Sequence, residues 1–175
     1  TPDDRRPGIR GLLARLVVPD ASVLWAIPAA RAAIQRVDGS DGVDVVVSTG
    51  PPFSTHLAGA WVQRRRRVPW VAEYRDNWTT NPLYARGWPL QWLLRRLERR
   101  LLRRAAGVVV VSETARNELL GAFPFLDGRG VVAPNGFDPD DLATAHERPA
   151  TFEIAYAGSL HRRRDLLGSG RSTRP

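Results

Sequence analysis

The sequence contains no cysteine and no lysine. Without cysteine, neither a disulfide nor a thiolate-bound metal can hold the fold, so its stability must come from a packed core. The histidines His56, His146 and His161 lie far apart and lack ligand spacing, which speaks against a zinc site. Without lysine, all 26 basic side chains are arginine; against 18 acidic ones they leave a net charge of +8. Such one-sided usage, with abundant alanine, glycine and proline, points to a GC-rich coding sequence, so part of the basicity reflects codon choice. The charge is otherwise read as a solvated basic surface or as attraction to anionic lipid head groups, with nucleic acid third. Long apolar runs are missing too: none approaches the roughly 18–20 residues of a membrane span. There is no Gly-x-Gly-x-x-Gly and no Walker loop, which argues against a dinucleotide oxidoreductase or a P-loop enzyme. The chain opens on Thr1 rather than Met, with no charged-then-apolar signal segment, and is expected to start inside a longer reading frame.

What is there is ordinary for a globular protein: 175 residues, 43% hydrophobic and 25% charged, enough for one domain with a core and short for two. Residues 21–37 carry Val23, Leu24, Ile27, Ala30 and Ile34 at helical spacing, with Ser22 as cap and Pro28 expected to kink the helix. Val43–Ser48 is short, β-branched and continuous, as a strand buried on both faces would be. Ser54 can cap a helix over 55–66. The same order repeats: a strand over 68–74, a long loop over 75–88, a helix from Pro89 to about Ala105. A strand over 107–111, a helix capped by Ser112 and a short strand over 130–133 follow. Strands alternating with helices predict an α/β fold, a Rossmann-like parallel sheet with helices on both faces. Residues 1–136 are read as that domain and 137–150 as a linker. Residues 151–165 restart a strand and glycine turn, and 166–175 form an irregular tail.

Two loops stand out because open α/β sheets bind ligands at the carboxyl ends of their strands. The first, Ser48 to His56, enters a helix whose free N–H groups suit an anion or a hydroxyl. Gly50 permits close backbone approach, Pro51 and Pro52 stiffen the turn, and Ser54 and His56 sit in its first helical turn. His56 is read either as a hydrogen-bond partner of a sugar or phosphate, or as a packing histidine. The second loop opens with Glu73-Tyr-Arg-Asp-Asn-Trp78. Here Arg75 could hold a phosphate, Asp76 could orient a hydroxyl and Trp78 could stack on a sugar face. A structural Arg75–Asp76 ion pair is the competing reading. The helix over 90–104 sets Arg95, Arg96, Arg99, Arg100, Arg103 and Arg104 around half its circumference, with Trp92 among them. Leu90, Leu94, Leu97 and Leu101 form the opposite stripe. That basic face is read as solvated or as a contact with an anionic membrane surface.

In order, these pieces resemble the N-terminal domain of the family 4 glycosyltransferases. The resemblance is carried by Ser-Thr-Gly-Pro-Pro-Phe-Ser-Thr-His-Leu-Ala-Gly at 48–59, Glu-Tyr-Arg-Asp-Asn-Trp at 73–78 and Leu-Glu-Arg-Arg-Leu-Leu-Arg-Arg-Ala-Ala-Gly-Val-Val-Val-Val-Ser at 97–112. It continues with Pro-Asn-Gly-Phe-Asp at 134–138 and Ile-Ala-Tyr-Ala-Gly-Ser-Leu at 154–160. It implies half of a GT-B fold and a retaining transfer from a nucleotide-sugar donor to a glycan or lipid-linked acceptor, without metal or cofactor. By resemblance the loops at 48–56 and 75–78 face the acceptor-side cleft, and Asn135 and Gly136 mark the hinge. Gly158, Arg162 and Arg163 fall where the donor diphosphate is held. Cell-envelope polysaccharide synthesis in the cytoplasm, peripheral at the inner membrane face, is the implied setting. Asp138-Pro-Asp140 has the spacing of metal-binding carboxylates in the other large sugar-transferase fold, but it follows Asn135-Gly136 in a linker and is not read as a metal site. The family's first strand, expected before residue 20, and most of its donor domain are not matched. The chain is therefore expected to be a truncated transferase, inactive alone. Two alternatives stay open: an arginine-rich α/β module binding anionic membrane or nucleic acid, and a non-catalytic partner of a separate donor domain.

Overall fold

The computed structural model describes residues 18–39 and 42–139. By contacts the chain divides into residues 1–136 and 137–175. Gly158, Arg162, Arg163, the strand expected over 152–156 and the tail lie outside the described residues.

The described residues of the first unit carry four strands: β1 Val46–Gly50, β2 Trp70–Tyr74, β3 Gly107–Val110 and β4 Gly130–Val132. They pair in sequence order, all parallel, with Val46 opposite Trp70, Val71 opposite Gly107 and Val108 opposite Gly130. Four helices accompany them: α1 Ala26–Asp38, α2 Ser54–Arg66, α3 Leu90–Leu102 and α4 Glu113–Ala122. Parallel neighbours require crossovers, and crossovers of one hand in one direction put α2, α3 and α4 on the same face. The strands report it. Trp70, Ala72 and Tyr74 of β2 and Val108 and Val110 of β3 are buried, while the residues between them are only partly covered. Leu94, Leu101 and Leu102 of α3, Leu119 of α4, and Phe123 and Leu126 complete that core.

The other face differs from expectation. Val47 of β1 and Val131 of β4 are 58% and 61% exposed, so the outer strands are open on that face, in an α/β, Rossmann-like parallel sheet with helices. The continuous Val43–Ser48 run suggested burial on both sides. It misled because β1, which begins only at Val46, is an edge strand among the described residues.

Helix entries show which local signals hold. Ser112 caps α4 as its chemistry predicts, its Oγ accepting from Ala115 N at 3.1 Å. Pro28 does not interrupt α1, because it is the third helical residue, where an N–H would have no intrahelical partner. Ser22 makes no side-chain cap bond; it precedes a short 3₁₀ turn over Val23–Trp25. Ser54 is the first residue of α2 rather than its cap. The capping carboxylate comes from far away: Asp20 accepts from Ser54 N at 2.9 Å and from Ser54 Oγ at 2.6 Å.

Candidate functional site

The loops after β1 and β2 meet at the carboxyl edge of the sheet, tied by Arg75 N donating to Gly50 O at 2.9 Å. In the first loop nearly every polar group is used internally. Trp70 Nε1 donates to Ser48 Oγ at 2.8 Å, and Ser48 Oγ is 2.8 Å from His56 Nδ1. His56 is 1% exposed, its ring stacked near Tyr74 at 4.8 Å between centroids. Burial lowers its pKa from 6.5 to about 4 against a weaker opposing pull from Asp20, so the ring is neutral at pH 7. Its Nε2 has no partner and lies against Gly50, where a Cβ would come within 2.7 Å of it. The close approach that Gly50 permits is thus, in this structure, that of His56. Thr55 Oγ1 donates to Thr49 O at 2.6 Å and Thr49 Oγ1 to Glu73 Oε2 at 2.6 Å.

The second loop is anchored by three consecutive residues. Asn77 is buried and its Nδ2 donates to Ala115 O and Glu118 Oε2 at 3.0 and 3.1 Å. Trp78 is 2% exposed and stacks on Phe53 at 5.0 Å with planes 5° apart, so one ring face is already occupied. Thr79 donates from its amide, at 3.3 Å, and from its hydroxyl to Oε2 of Glu98. Glu98 is fully buried on α3, and burial raises its pKa from 4.5 to about 7 against the bonds from Thr79 and Tyr74. Between these anchors and the strand, Arg75 and Asp76 are exposed. They form no ion pair with each other; Asp76 Oδ2 instead accepts from Tyr84 OH at 3.0 Å.

Two cavities open here. One, of about 360 Å³, is walled by Pro51, Pro52, Phe53, Trp78 and Tyr84, with Asp20 and Arg86 as the charged residues of its lining. The other, of about 310 Å³, lies beside the N-terminus of α4 and is lined by Arg75, Asp76, Asn77, Ser112 and Glu118. The Asp76–Tyr84 bond joins a residue of each. Asn135 and Gly136 are exposed at the end of the first unit.

The sequence model of Glycosyltransferase Family 4 matches residues 2–141, most of the chain. The chain belongs to glycosyltransferase family 4. The match takes in the whole described sheet and both loops of its carboxyl edge, and family membership implies a nucleotide-sugar donor and an acceptor in general terms. A comparison with curated proteins finds no match. Among the described residues of this family 4 chain, no helix is long and apolar enough to cross a membrane, and no group of His, Asp and Glu could hold a metal ion.

The loops therefore bring Pro51, Trp78, Arg75 and Asp76 to cavity walls and leave His56 and Ser54 in internal bonds. Sequence reasoning missed Asp20, Asn77, Tyr84 and Glu98. Tyr84 sits in a loop without periodicity, so nothing local could have pointed to it. Glu98 had a signal: it lies four residues after Leu94 and four before Leu102, in the middle of the buried stripe of α3. The arginines of α3 do not form one surface. Arg96 lies over Trp92 at 5.6 Å, Arg99 and Arg103 lie over Phe125 at 5.8 and 5.6 Å, and Arg100 turns toward α2.

Proposed function

We propose that residues 1–136 form the acceptor-side domain of a retaining glycosyltransferase, which works with a nucleotide-sugar domain and without a metal ion. The acceptor favoured is lipid-linked rather than a free glycan. The observation that carries this is the apolar cavity of Pro51, Pro52, Phe53, Trp78 and Tyr84 set beside the polar one of Arg75 and Asp76. An amphiphile lying across the Asp76–Tyr84 bond would bury its apolar part in the first and present hydroxyls to the second. Transfer breaks the bond between the sugar and the diphosphate and makes one to the oxygen of an acceptor hydroxyl, whose proton leaves with the diphosphate. The rate then depends on holding that hydroxyl in line and on stabilising charge on the departing diphosphate. This edge of the sheet supplies the first requirement, and the donor domain supplies the second. A cytoplasmic location at the inner membrane face, in cell-envelope polysaccharide synthesis, suits such an acceptor. Exposed Arg95, Arg96 and Trp92 would there meet anionic head groups.

The test is binding of a neutral alkyl glycoside against the free sugar and the free alkanol, followed by NMR of the indole and tyrosine ring signals. The reading expects the alkyl glycoside to bind more tightly than either part and to shift Trp78 and Tyr84. Equal binding of sugar and glycoside, or shifts that leave both rings untouched, would remove the lipid-linked acceptor.

A further inference from the structure

Helices α2 and α3 run against the direction of the strands, so their C-terminal halves lie away from the carboxyl edge. Between those halves is a groove of about 610 Å³. Its rim carries Arg64 and Arg65 from α2 and Arg100 and Arg104 at the end of α3, with Trp61 beside them. Its floor is apolar, formed by Leu57 and Leu101 among others. All four arginines are exposed. Among the described residues none of the four side chains has a carboxylate within ion-pair distance, or a hydrogen-bond acceptor. Some arginines elsewhere do have partners: Arg66 pairs with Asp38, Arg116 with Glu113, and Arg129 donates to the carbonyls of Ala105 and Phe125.

The plain account of arginines in a last helical turn is that they complement the negative end of the helix dipole. Here that account falls short in magnitude. Two helix ends supply about half a negative charge each, against four guanidiniums, and leave an excess of about three positive charges. A concave wall with an apolar floor concentrates that field instead of letting solvent dissipate it. Guanidinium forks match phosphate oxygens in pairs. The floor, together with Trp61, whose ring holds the Arg65 guanidinium at 5.9 Å, leaves room for an apolar group attached to the phosphate.

We infer that the α2–α3 groove is a second ligand site, for a phosphate ester carried on an apolar group. It shares no residue with the two cavities at the carboxyl edge. It also differs from the outward row of Arg95 and Arg96, so it stands independently of the acceptor reading. The ester can come from a bilayer or from solution, and the experiment separates these sources.

Binding of the purified chain is measured by sedimentation with phosphatidylcholine vesicles with and without phosphatidylglycerol, and by calorimetry with short-chain, soluble phosphatidic acid. The variants are R64Q/R100Q in the groove and R31Q/R36Q on α1 outside it, which remove equal charge from exposed positions. The groove pair is expected to weaken binding about tenfold or more, and the outer pair by much less. A loss on vesicles alone assigns the site to a membrane phospholipid, and a loss on the soluble ester assigns it to a free ligand. Equal losses in both variants would reduce the effect to general charge attraction and overturn the site while leaving a basic membrane face standing. Inorganic phosphate competing as well as the ester, or RNA binding more tightly than either probe, would overturn it too.

Discussion

The loops that follow β1 and β2 begin side by side, joined by the Arg75 N to Gly50 O bond, yet they are built on opposite plans. The β1 loop turns inward: Ser54 is held by Asp20, Thr55 by Thr49 O, and His56 by Ser48. The β2 loop is pinned at Asn77, Trp78 and Thr79 and again where Gln91 bonds Thr79 O and Arg86 N. Between the strand and its first pins it presents Arg75 and Asp76, and further on it leaves Leu83 and Trp88 71% and 84% exposed. One loop makes a wall and the other, on the proposed reading, offers groups to a ligand. A site needs both, because groups offered to a substrate hold their geometry only when neighbours lock the backbone beneath them.

The largest effect should come from the contact that joins the two plans. Trp78→Ala removes a buried indole stacked on Phe53, and core truncations of that size cost about 3–5 kcal/mol. Urea unfolding should show that loss as a lower midpoint. A loss below about 1 kcal/mol, typical of a surface change, would mean the loops stand independently.

Next is a pair of opposed pH dependences, one beneath each loop. Glu98 has its pKa raised by burial from 4.5 to about 7, so the unfolded chain gives up that proton first. Its contribution is full below pH 4.5 and is lost as pH rises through 7, by about 3 kcal/mol. His56, lowered from 6.5 to about 4, does the reverse: its contribution is full above 6.5 and is lost as pH falls through 4. The wild-type curve therefore sums two slopes of opposite sign. Glu98→Gln removes one of them and keeps an oxygen for Thr79. The stability of wild type relative to this variant should fall by about 3 kcal/mol between pH 4 and pH 8. A difference that stays flat over that range would show that Glu98 titrates as it does in the unfolded chain.

Glu98 also shows how far the sequence could be read. The repeating β-branched runs, the Ser112 cap and the leucine stripe of α3 are local patterns, and the sheet follows from them. The exposure of Val47 does not, because coverage depends on where β1 lies in the sheet and not on its composition. Within the site, the two loops were legible because strand ends before loops are marked by residue type. Which side chains point outward was not. Asp20 acts on Ser54 across 34 positions, and Trp70 fits under α2 only because Gly59 has no Cβ to meet its indole at 2.3 Å. Such contacts are made by packing, and no window along the chain contains both partners.

A smaller effect should separate a structural glycine from a ligand-facing one. In Gly50→Ala the new methyl would lie 2.7 Å from His56 Nε2 and 3.1 Å from Phe53 Cδ1. Overpacking of that kind costs about 1–3 kcal/mol. The variant should be less stable, and the upfield or downfield position of the His56 ring signals should move with it. If stability is unchanged while alkyl glycoside binding falls, Gly50 serves the ligand and the β1 loop is more than a wall.

The smallest effect on stability belongs to Arg75→Ala, and it is the most direct test of the presenting loop. The Arg75 side chain is exposed and has no hydrogen bond or ion pair to lose among the described residues, while its backbone N–H, which holds Gly50 O, survives the substitution. Exposed changes of this sort shift stability by no more than about 0.5 kcal/mol. Binding should tell a different story. Arg75 lines the polar cavity beside Asp76, so a ligand that spans both cavities loses a charge-assisted partner, and its affinity should drop about tenfold. The two numbers must be measured on one protein sample, by urea unfolding and by titration with the alkyl glycoside. Unchanged stability with weakened binding identifies a residue held out for a substrate. Unchanged stability with unchanged binding would return Arg75 to the solvated surface and leave Asp76 and Tyr84 as the polar end of the site.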